Sequence, residues 1–590
     1  MLAFLVLPAS KKSKSAAGMN PLNILLAAAC IVFCLYIVFN YDRLMEGIGT
    51  VARPFELFMG IALLLLAMEA ARRSTGVLLP IMASLFIAYA YFGGYIPGYW
   101  CHCGFQLSYI IEHLYLGPEG IWGELTGISA TLVAAYIIFG SILLSTGGAA
   151  SFMQLALLFG GRSYGGAAKV ATVASGLFGM LSGSAIANVA TTGNFTIPMM
   201  KRLGYQPHFA GAVEATASTG GQITPPIMGA GAFIMSELIS QPYLKIAFAA
   251  TLPAFLFYTC VWVSIDLEAR KVNLSRVPPE EIPSVRSVLR WSTIGPVSVT
   301  ILVLLFSLFL GHTPTKAAFW AIATNLVLFL FFNPMNKADF FKRCRTVFAG
   351  IEDAGRGMIT VVCLLVCAQI TIAMISLSGI GIKMSELVIS ASSGHLIFAL
   401  ILAAAVSMIL GMGIPTTAAY VLAASVVGPA LQMLDVSPLS AHMFIFYCAI
   451  LSGLTPPVCT AVFTAASIAK ANWLKVAWVS IRLAIMKYLL PFFFIFRPSV
   501  LMMGKWYVIA QTIFVTVISA NLIAIGTVGY YRKRINLPLR VLTLAAGLLL
   551  IVPGFIYDAL GLGLFFGLVL WVHIEKKKDA ACIGISVPQP

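Results

Sequence analysis

Two Thr-Pro-Pro tripeptides sit inside long apolar segments of this chain, and they limit its fold more than any other feature. Thr216–Ala230 reads TASTGGQITPPIMGA, and Ala449–Ala461 reads AILSGLTPPVCTA. Consecutive prolines remove two backbone donors and push the preceding threonine out of helical dihedrals. A helix therefore breaks at Thr224-Pro225 and again at Thr455-Pro456. Composition sets the solvent in which this happens. The 590 residues are 60% hydrophobic and 10% charged, against roughly 25% charged in soluble domains. Mean hydropathy is +0.95. In a bilayer a freed carbonyl finds no water, so such a break survives only buried in protein or lining a polar cavity. The fold class expected is an all-α polytopic membrane protein, and matched breaks in its two halves point to a transporter's binding site.

Each break is preceded by a Gly-rich turn within an apolar stretch, Gly176–Pro198 in the first half and Met408–Pro429 in the second. Both read as helical hairpins, so the order is hairpin then broken helix, twice. Basic residues give the orientation, because short cytoplasmic loops collect Lys and Arg. The net charge of +16 is spread this way and is no nucleic-acid footprint. Spans are expected at Leu22–Asn40, Phe55–Ala71, Val77–Tyr95 and Gly127–Gly148, with an interfacial helix over Phe105–Leu116. The first hairpin has basic residues at both ends (Arg162 and Lys169, Lys201 and Arg202), so it enters from the cytoplasmic face. A broken helix over His208–Ser236 and a span over Leu244–Ile265 follow. A linker carrying Arg270, Lys271, Arg276, Arg286 and Arg290 joins the halves. Thr293–Leu310, Ala317–Phe332 and Met358–Leu377 come next, with Lys337, Lys342, Arg343 and Arg345 in a loop. The second hairpin, His395–Leu431, has few basic flanks and enters from outside. The second broken helix is His442–Ala469, and a span over Val476–Phe496 closes the repeat. Hairpins entering from opposite faces define an inverted repeat. Trp506–Tyr530 and a hairpin over Leu539–Ile574 form an accessory tail. Both termini are expected in the cytoplasm, and translation starts at Met1 or Met19. The resulting division is 1–120, 121–500 and 501–590.

The breaks and turns carry the candidate chemistry. Ser182, Gly183, Ser184 and Asn188 supply hydroxyls, an amide and open backbone at the first turn. Gly411, Met412, Gly413, Thr416 and Thr417 do so at the second. Freed carbonyls and threonine oxygens suit a hard cation such as Na⁺, and half-helix N-termini suit a carboxylate. Small residues also serve plain helix packing; four clusters in duplicated order favour a site. Glu214 is an acid inside the first broken helix, either a coupling group or a structural carboxylate bonded to a neighbouring helix. Glu56 and Glu69 read as anchors, and His208, His395 and His442 as span-end histidines. The eleven cysteines show no metal-ligand spacing, and the consecutive Cys101, His102 and Cys103 fit one metal poorly. No Ser/His/Asp set, HExxH or GxxxxGK[ST] is present, so uptake would be driven by an ion gradient.

SGSAIANVATTG, EATASTGGQITPPIMGAGAF, GMGIPTTAAY and SGLTPPV resemble, in wording and order, the large permease subunit of tripartite ATP-independent periplasmic (TRAP) transporters. The resemblance covers about Thr126 to Phe496. Extra spans at both ends resemble the fused permeases served by TAXI-type binding proteins. It implies an elevator-type transporter in the cytoplasmic (inner) membrane of a bacterium or archaeon, importing an organic acid anion with Na⁺ or H⁺. It implies a periplasmic binding protein as partner and no cofactor beyond the transported cation. Ser182, Gly183, Ser184, Asn188, Gly220, Gly221, Thr224, Gly411, Gly413, Thr416, Ser452, Gly453 and Thr455 match the family's turn and break motifs, beside Pro225 and Pro456. The rival readings are a stand-alone ion-coupled anion transporter, an intramembrane enzyme and a structural subunit.

Overall fold

Helices begin and end where the sequence supplies caps and breakers. The computed structural model describes residues 1–8, 20–46, 52–331, 337–392 and 395–567. The basic residues Lys11, Lys12, Lys14, Lys576, Lys577 and Lys578, Met19 and residues 568–574 of the last hairpin lie outside them. Among the described residues, nine helices are long and apolar enough to span a bilayer. Apart from a two-residue ladder pairing Tyr530–Tyr531 with Lys533–Arg534, the ordered structure is helical. The protein is an all-α, multi-pass membrane protein.

The N-terminal helices are Pro21–Phe39, Pro54–Thr75 and Leu78–Phe92. Asn20 caps the first by accepting from the Leu22 amide at 3.3 Å, with Pro21 at its first position. Glu56 accepts from the Tyr36 hydroxyl at 2.6 Å and pairs with Arg43. Glu69 pairs with Arg72 and Arg73 at 2.6 and 2.8 Å. Both acids anchor, as expected. The amphipathic helix Leu107–Tyr115 buries Ile110, Ile111, Leu114 and Tyr115. His102 donates from Nε2 to the Tyr89 carbonyl at 2.9 Å and accepts from the Gly104 amide at 3.1 Å. Both ring nitrogens are thus engaged by backbone.

The two halves share one order. In the first, a long helix, Glu124–Gly160, kinks at Gly147 (φ 115°) and leads into a hairpin of Gly166–Ser182 and Ala185–Arg202. The broken helix follows as Pro207–Gly221 and Ala230–Leu238, and Tyr243–Val272 closes the half. In the second, Lys337–Ser378 ends at Gly379 (φ 66°) and continues as Ile380–Ala391. The hairpin is Leu396–Leu410 and Thr416–Met433, and the broken helix is Pro438–Leu451 and Thr460–Ala469.

Several expected boundaries move. Lys337, Lys342, Arg343 and Arg345 stand on a 42-residue helix, not in a loop, because no proline interrupts the run. Arg270 and Lys271 form the last turn of Tyr243–Val272, where cations favour a helix C-terminus. The first long helix continues past Gly148 to Gly160, and Ile380–Ala391 is a helix that no expected span covered. The expected span Val476–Phe496 is two helices, Trp473–Leu483 and Ile485–Phe496, bent by 43° at Ala484. The C-terminal helix Trp506–Val528 lies against Tyr243–Val272, and Leu537–Leu549 packs on Trp506–Val528. Arg497 fastens this tail through a buried pair with Asp558 at 2.7 Å, and Gln511 donates to the same carboxylate at 3.0 Å.

Candidate functional site

Small residues bring the first hairpin onto the first broken helix. A Cβ on Gly221 would stand 2.4 Å from Gly179 Cα, and one on Gly229 would stand 2.5 Å from Gly183 Cα. Gly229 also has φ 67°, ψ −173°, a conformation open essentially to glycine alone. The turn of the hairpin therefore rests directly on the backbone after the break. Gly229→Ala is expected to destabilise the protein by about 2 kcal/mol or more, from backbone strain and a main-chain clash. Thermal unfolding of the detergent-purified chain checks this, and an unchanged midpoint would mean that the turn is not seated on the break.

Each break is held by the same device. Thr224 Oγ1 donates to the Gly220 carbonyl at 2.8 Å and lies 3.0 Å from the Tyr258 hydroxyl. Thr455 Oγ1 donates to the Leu451 carbonyl at 2.8 Å and lies 2.7 Å from the Tyr488 hydroxyl. The Pro225-Pro226 and Pro456-Pro457 peptides are both cis. Carbonyls freed by the first break are taken by Tyr243, whose hydroxyl reaches Pro226 O at 2.5 Å and Ile227 O at 2.8 Å. Backbone polar groups inside the membrane are thus satisfied by side chains.

Hairpins and breaks meet at one cavity of about 130 Å³. Of the candidate residues, Ser182, Gly183, Ser184, Thr416, Thr417, Ser452 and Gly453 line it. Four helices start at its wall, with Ala185, Ala230, Thr416 and Thr460 as their first residues. Four sets of N-terminal amides and the positive ends of four helix dipoles converge there, a setting for an anion. Helices ending at Ser182 and Leu451 bring carbonyl-bearing ends to the same region, a setting for a cation. Among the described residues, no charged side chain lines the cavity.

The remaining candidates stand behind this wall. Asn188 is buried inside the hairpin and donates to the Ser175 carbonyl at 2.7 Å. Gly220 packs on Phe257, and a Cβ on Gly411 would stand 2.7 Å from Ser452 Oγ. Gly413 turns the second hairpin at φ 76°. Thr224, Pro225, Thr455 and Pro456 shape the breaks without reaching the cavity wall.

Glu214 is fully buried, and its four partners are all hydroxyls. Oε1 meets Ser175 at 2.9 Å, Ser218 at 3.1 Å and Thr192, and Oε2 meets Thr196 at 2.6 Å. These belong to both arms of the hairpin and to its own helix, so the carboxylate ties three helices together. Lys201 and Arg202, its basic neighbours in sequence, are engaged with Ala469 O and Glu281. His442 is not a solvated span-end residue. It is buried, with Nδ1 2.8 Å from the Tyr420 hydroxyl, because the helix carrying it is buried from Leu439, one residue past its start, to Leu451.

Four residues passed over in the sequence belong here. Gln222, inside the first break, donates from Nε2 to Gly183 O at 2.8 Å and to Thr416 Oγ1 at 3.0 Å, joining the two hairpins. Tyr258 and Tyr488 follow their threonines by 34 and 33 positions, a pairing that aligning the halves would have revealed. Lys487 is fully buried, 2.8 Å from Thr219 Oγ1 and 4.3 Å above the Phe257 ring. A lone lysine in an apolar run was its signal.

A family profile described as "Tripartite ATP-independent periplasmic transporter, DctM component" matches residues 62–507. The C4-dicarboxylate TRAP transporter large permease protein DctM of Vibrio cholerae is 24% identical over 386 residues, covering 62% of this chain and 84% of that protein. The 2,3-diketo-L-gulonate TRAP transporter large permease protein YiaN of Escherichia coli is 22% identical over 411 residues, covering 68% and 93%. The sialic acid TRAP transporter permease protein SiaT of Haemophilus influenzae is 23% identical over 345 residues, covering 57% and 53%.

Proposed function

The chain belongs to the DctM-component family of tripartite ATP-independent periplasmic transporters, and from that premise we propose that it is the inner-membrane permease of a binding-protein-dependent uptake system for an organic acid anion. The observation that carries this reading is the cavity ringed by four helix N-termini. Backbone dipoles there supply positive potential where no arginine or lysine does. Relatives named for C4-dicarboxylates, 2,3-diketo-L-gulonate and sialic acid agree in the class of solute. A Na⁺ or proton gradient drives uptake, since no nucleotide-binding motif is present in the sequence. The hairpins and broken helices form the moving unit of an elevator, in inverted orientation to each other, and the long helices form its scaffold. In this reading the segments on either side of the family match make it a fused permease served by a TAXI-type periplasmic protein, with both termini in the cytoplasm. No catalytic step is part of this reading.

The test is uptake of labelled organic acids into proteoliposomes under an imposed Na⁺ or proton gradient, with and without the candidate binding protein. The expected result is uptake that needs both gradient and binding protein. Uptake without the binding protein would replace this reading with a stand-alone transporter. Thr224→Ala and Thr455→Ala each release a tyrosine from a break, and both are expected to lower gradient-driven uptake severalfold in a protein that still folds. Unchanged kinetics in both would remove the threonines from the transport machinery.

A further inference from the structure

The basic end of the Tyr243–Val272 helix, where the C-terminal segment packs against it, encloses a second cavity of about 590 Å³. Its wall includes Tyr164, Asp266, Arg270, Tyr530, Tyr531 and Arg532. The charge balance is one-sided. Among the described residues Asp266 is the one acid in the wall, and it is already shared by Lys169 at 2.7 Å and Arg270 at 2.6 Å. Arg270 and Arg276 both stack on Tyr164, at 4.5 and 4.1 Å from its ring. The guanidinium of Arg276 has no carboxylate within ion-pairing distance among the described residues, and neither has that of Arg532. Arg532 is exposed and stands at the tip of the Tyr530–Arg534 turn with φ 58°, in the wall of the cavity.

The surroundings mark the depth. Tyr164, Tyr530, Tyr531 and Trp262, whose ring lies 4.8 Å from the Lys169 ammonium, form an aromatic group at the end of a 30-residue apolar helix. Tyrosine and tryptophan gather at the headgroup level of a bilayer, and basic pockets between membrane helices bind anionic headgroups. Arginine presents a fork that fits two phosphate oxygens at once. We propose that this cavity binds the phosphate of an anionic phospholipid between Arg270 and Arg532. The lipid bridges the C-terminal segment to the helix that precedes the linker between the halves. The family match ends at residue 507, so one wall of the site belongs to a segment outside it. The inference needs only the membrane reading and does not depend on the transported solute.

Thermal unfolding of the full-length chain in neutral detergent tests this, titrated separately with phosphatidylglycerol, cardiolipin, phosphatidylcholine and sodium phosphate. Arg532→Gln, in the wall, and Arg276→Gln, stacked on Tyr164 beside Arg270, are the variants, because neither has an ion pair to lose among the described residues. Lys475→Gln, at the start of the Trp473–Leu483 helix, is the control. The anionic lipids are expected to raise the midpoint saturably and phosphatidylcholine to leave it unchanged. Each arginine variant is expected to keep its lipid-free midpoint and bind the anionic lipid about fivefold more weakly, the effect of one basic residue near a charged membrane surface. The control is expected to respond like the wild type. Equal response to phosphatidylcholine, or full response in both arginine variants, would overturn the assignment. Saturation by sodium phosphate alone at the same arginines would show a free-phosphate site and overturn the lipid.

Discussion

Glu214→Ala is expected to be among the most destabilising single substitutions in the chain, at about 2–4 kcal/mol, from a buried void and orphaned hydroxyls. The penalty stays below four full hydrogen bonds because the hydroxyls have other partners: Ser175 Oγ and Ser218 Oγ stand 2.7 Å apart, and both threonines have a second acceptor. Thr192 reaches the Asn188 carbonyl at 2.8 Å, and Thr196 reaches the Thr192 carbonyl at 3.0 Å. Hydrogen bonds inside membrane proteins are moreover worth about 0.6 kcal/mol on average by double-mutant cycles. Glu214→Gln separates structure from coupling. Its amide nitrogen can take the place of Oε2 and donate to Thr196, whose hydroxyl still has Thr192 O to bond. The expected result is a near-wild-type unfolding midpoint and uptake within about threefold, reading the residue as a staple between hairpin and broken helix. A well-folded Gln variant without uptake would instead make the carboxylate part of ion coupling.

Lys487→Met is expected to give the opposite pattern, intact folding with uptake reduced at least tenfold. A lysine at the centre of a membrane helix costs about 2.5–3.5 kcal/mol on insertion scales. Among the described residues the nitrogen has one hydroxyl and one aromatic face as partners, and no carboxylate within ion-pairing distance. Methionine keeps the length of the side chain and removes the charge, so the variant is expected to be at least as stable as the wild type. What is lost is the contact with Thr219, in the last turn before the first break. Its neighbour Tyr488 holds the second break through Thr455. One helix thus touches both breaks through adjacent residues, just beyond the 43° bend at Ala484. Wild-type uptake in the Met variant would reduce Lys487 to a packing residue. A comparison with Lys487→Ala, which leaves a void as well, separates loss of charge from loss of volume.

Neither Glu214 nor Lys487 lines the wall of the cavity between hairpins and breaks. Changes in apparent solute affinity are therefore expected to be smaller than changes in maximal rate for both. Substitutions at Ser184 or Thr416, which stand at helix starts on the wall, are expected to show the reverse.

The sequence by itself determined the class of fold, the repeated order of hairpin and broken helix, and the position of both breaks. Those features rest on local rules: proline lacks an amide hydrogen, glycine tolerates positive φ, and a run of about twenty apolar residues spans a bilayer. Gly183, Gly413 and the two Pro-Pro pairs lie where those rules put them. Boundaries were less legible. A helix can carry charge into the aqueous layer without any change of local propensity, as Lys337–Ser378 and Tyr243–Val272 do. Only the tertiary structure decided which candidates face a common space. Ser182, Ser184 and Ser452 reach the cavity, whereas Asn188 turns back into its own hairpin. It also decided the partners of Glu214, Thr224 and Thr455, which come from residues distant in sequence. Side-chain contacts across helices depend on rotation and crossing distance, set here by close approaches such as Gly179 to Gly221 and Gly183 to Gly229. Hydropathy and motif spacing carry no information on that rotation.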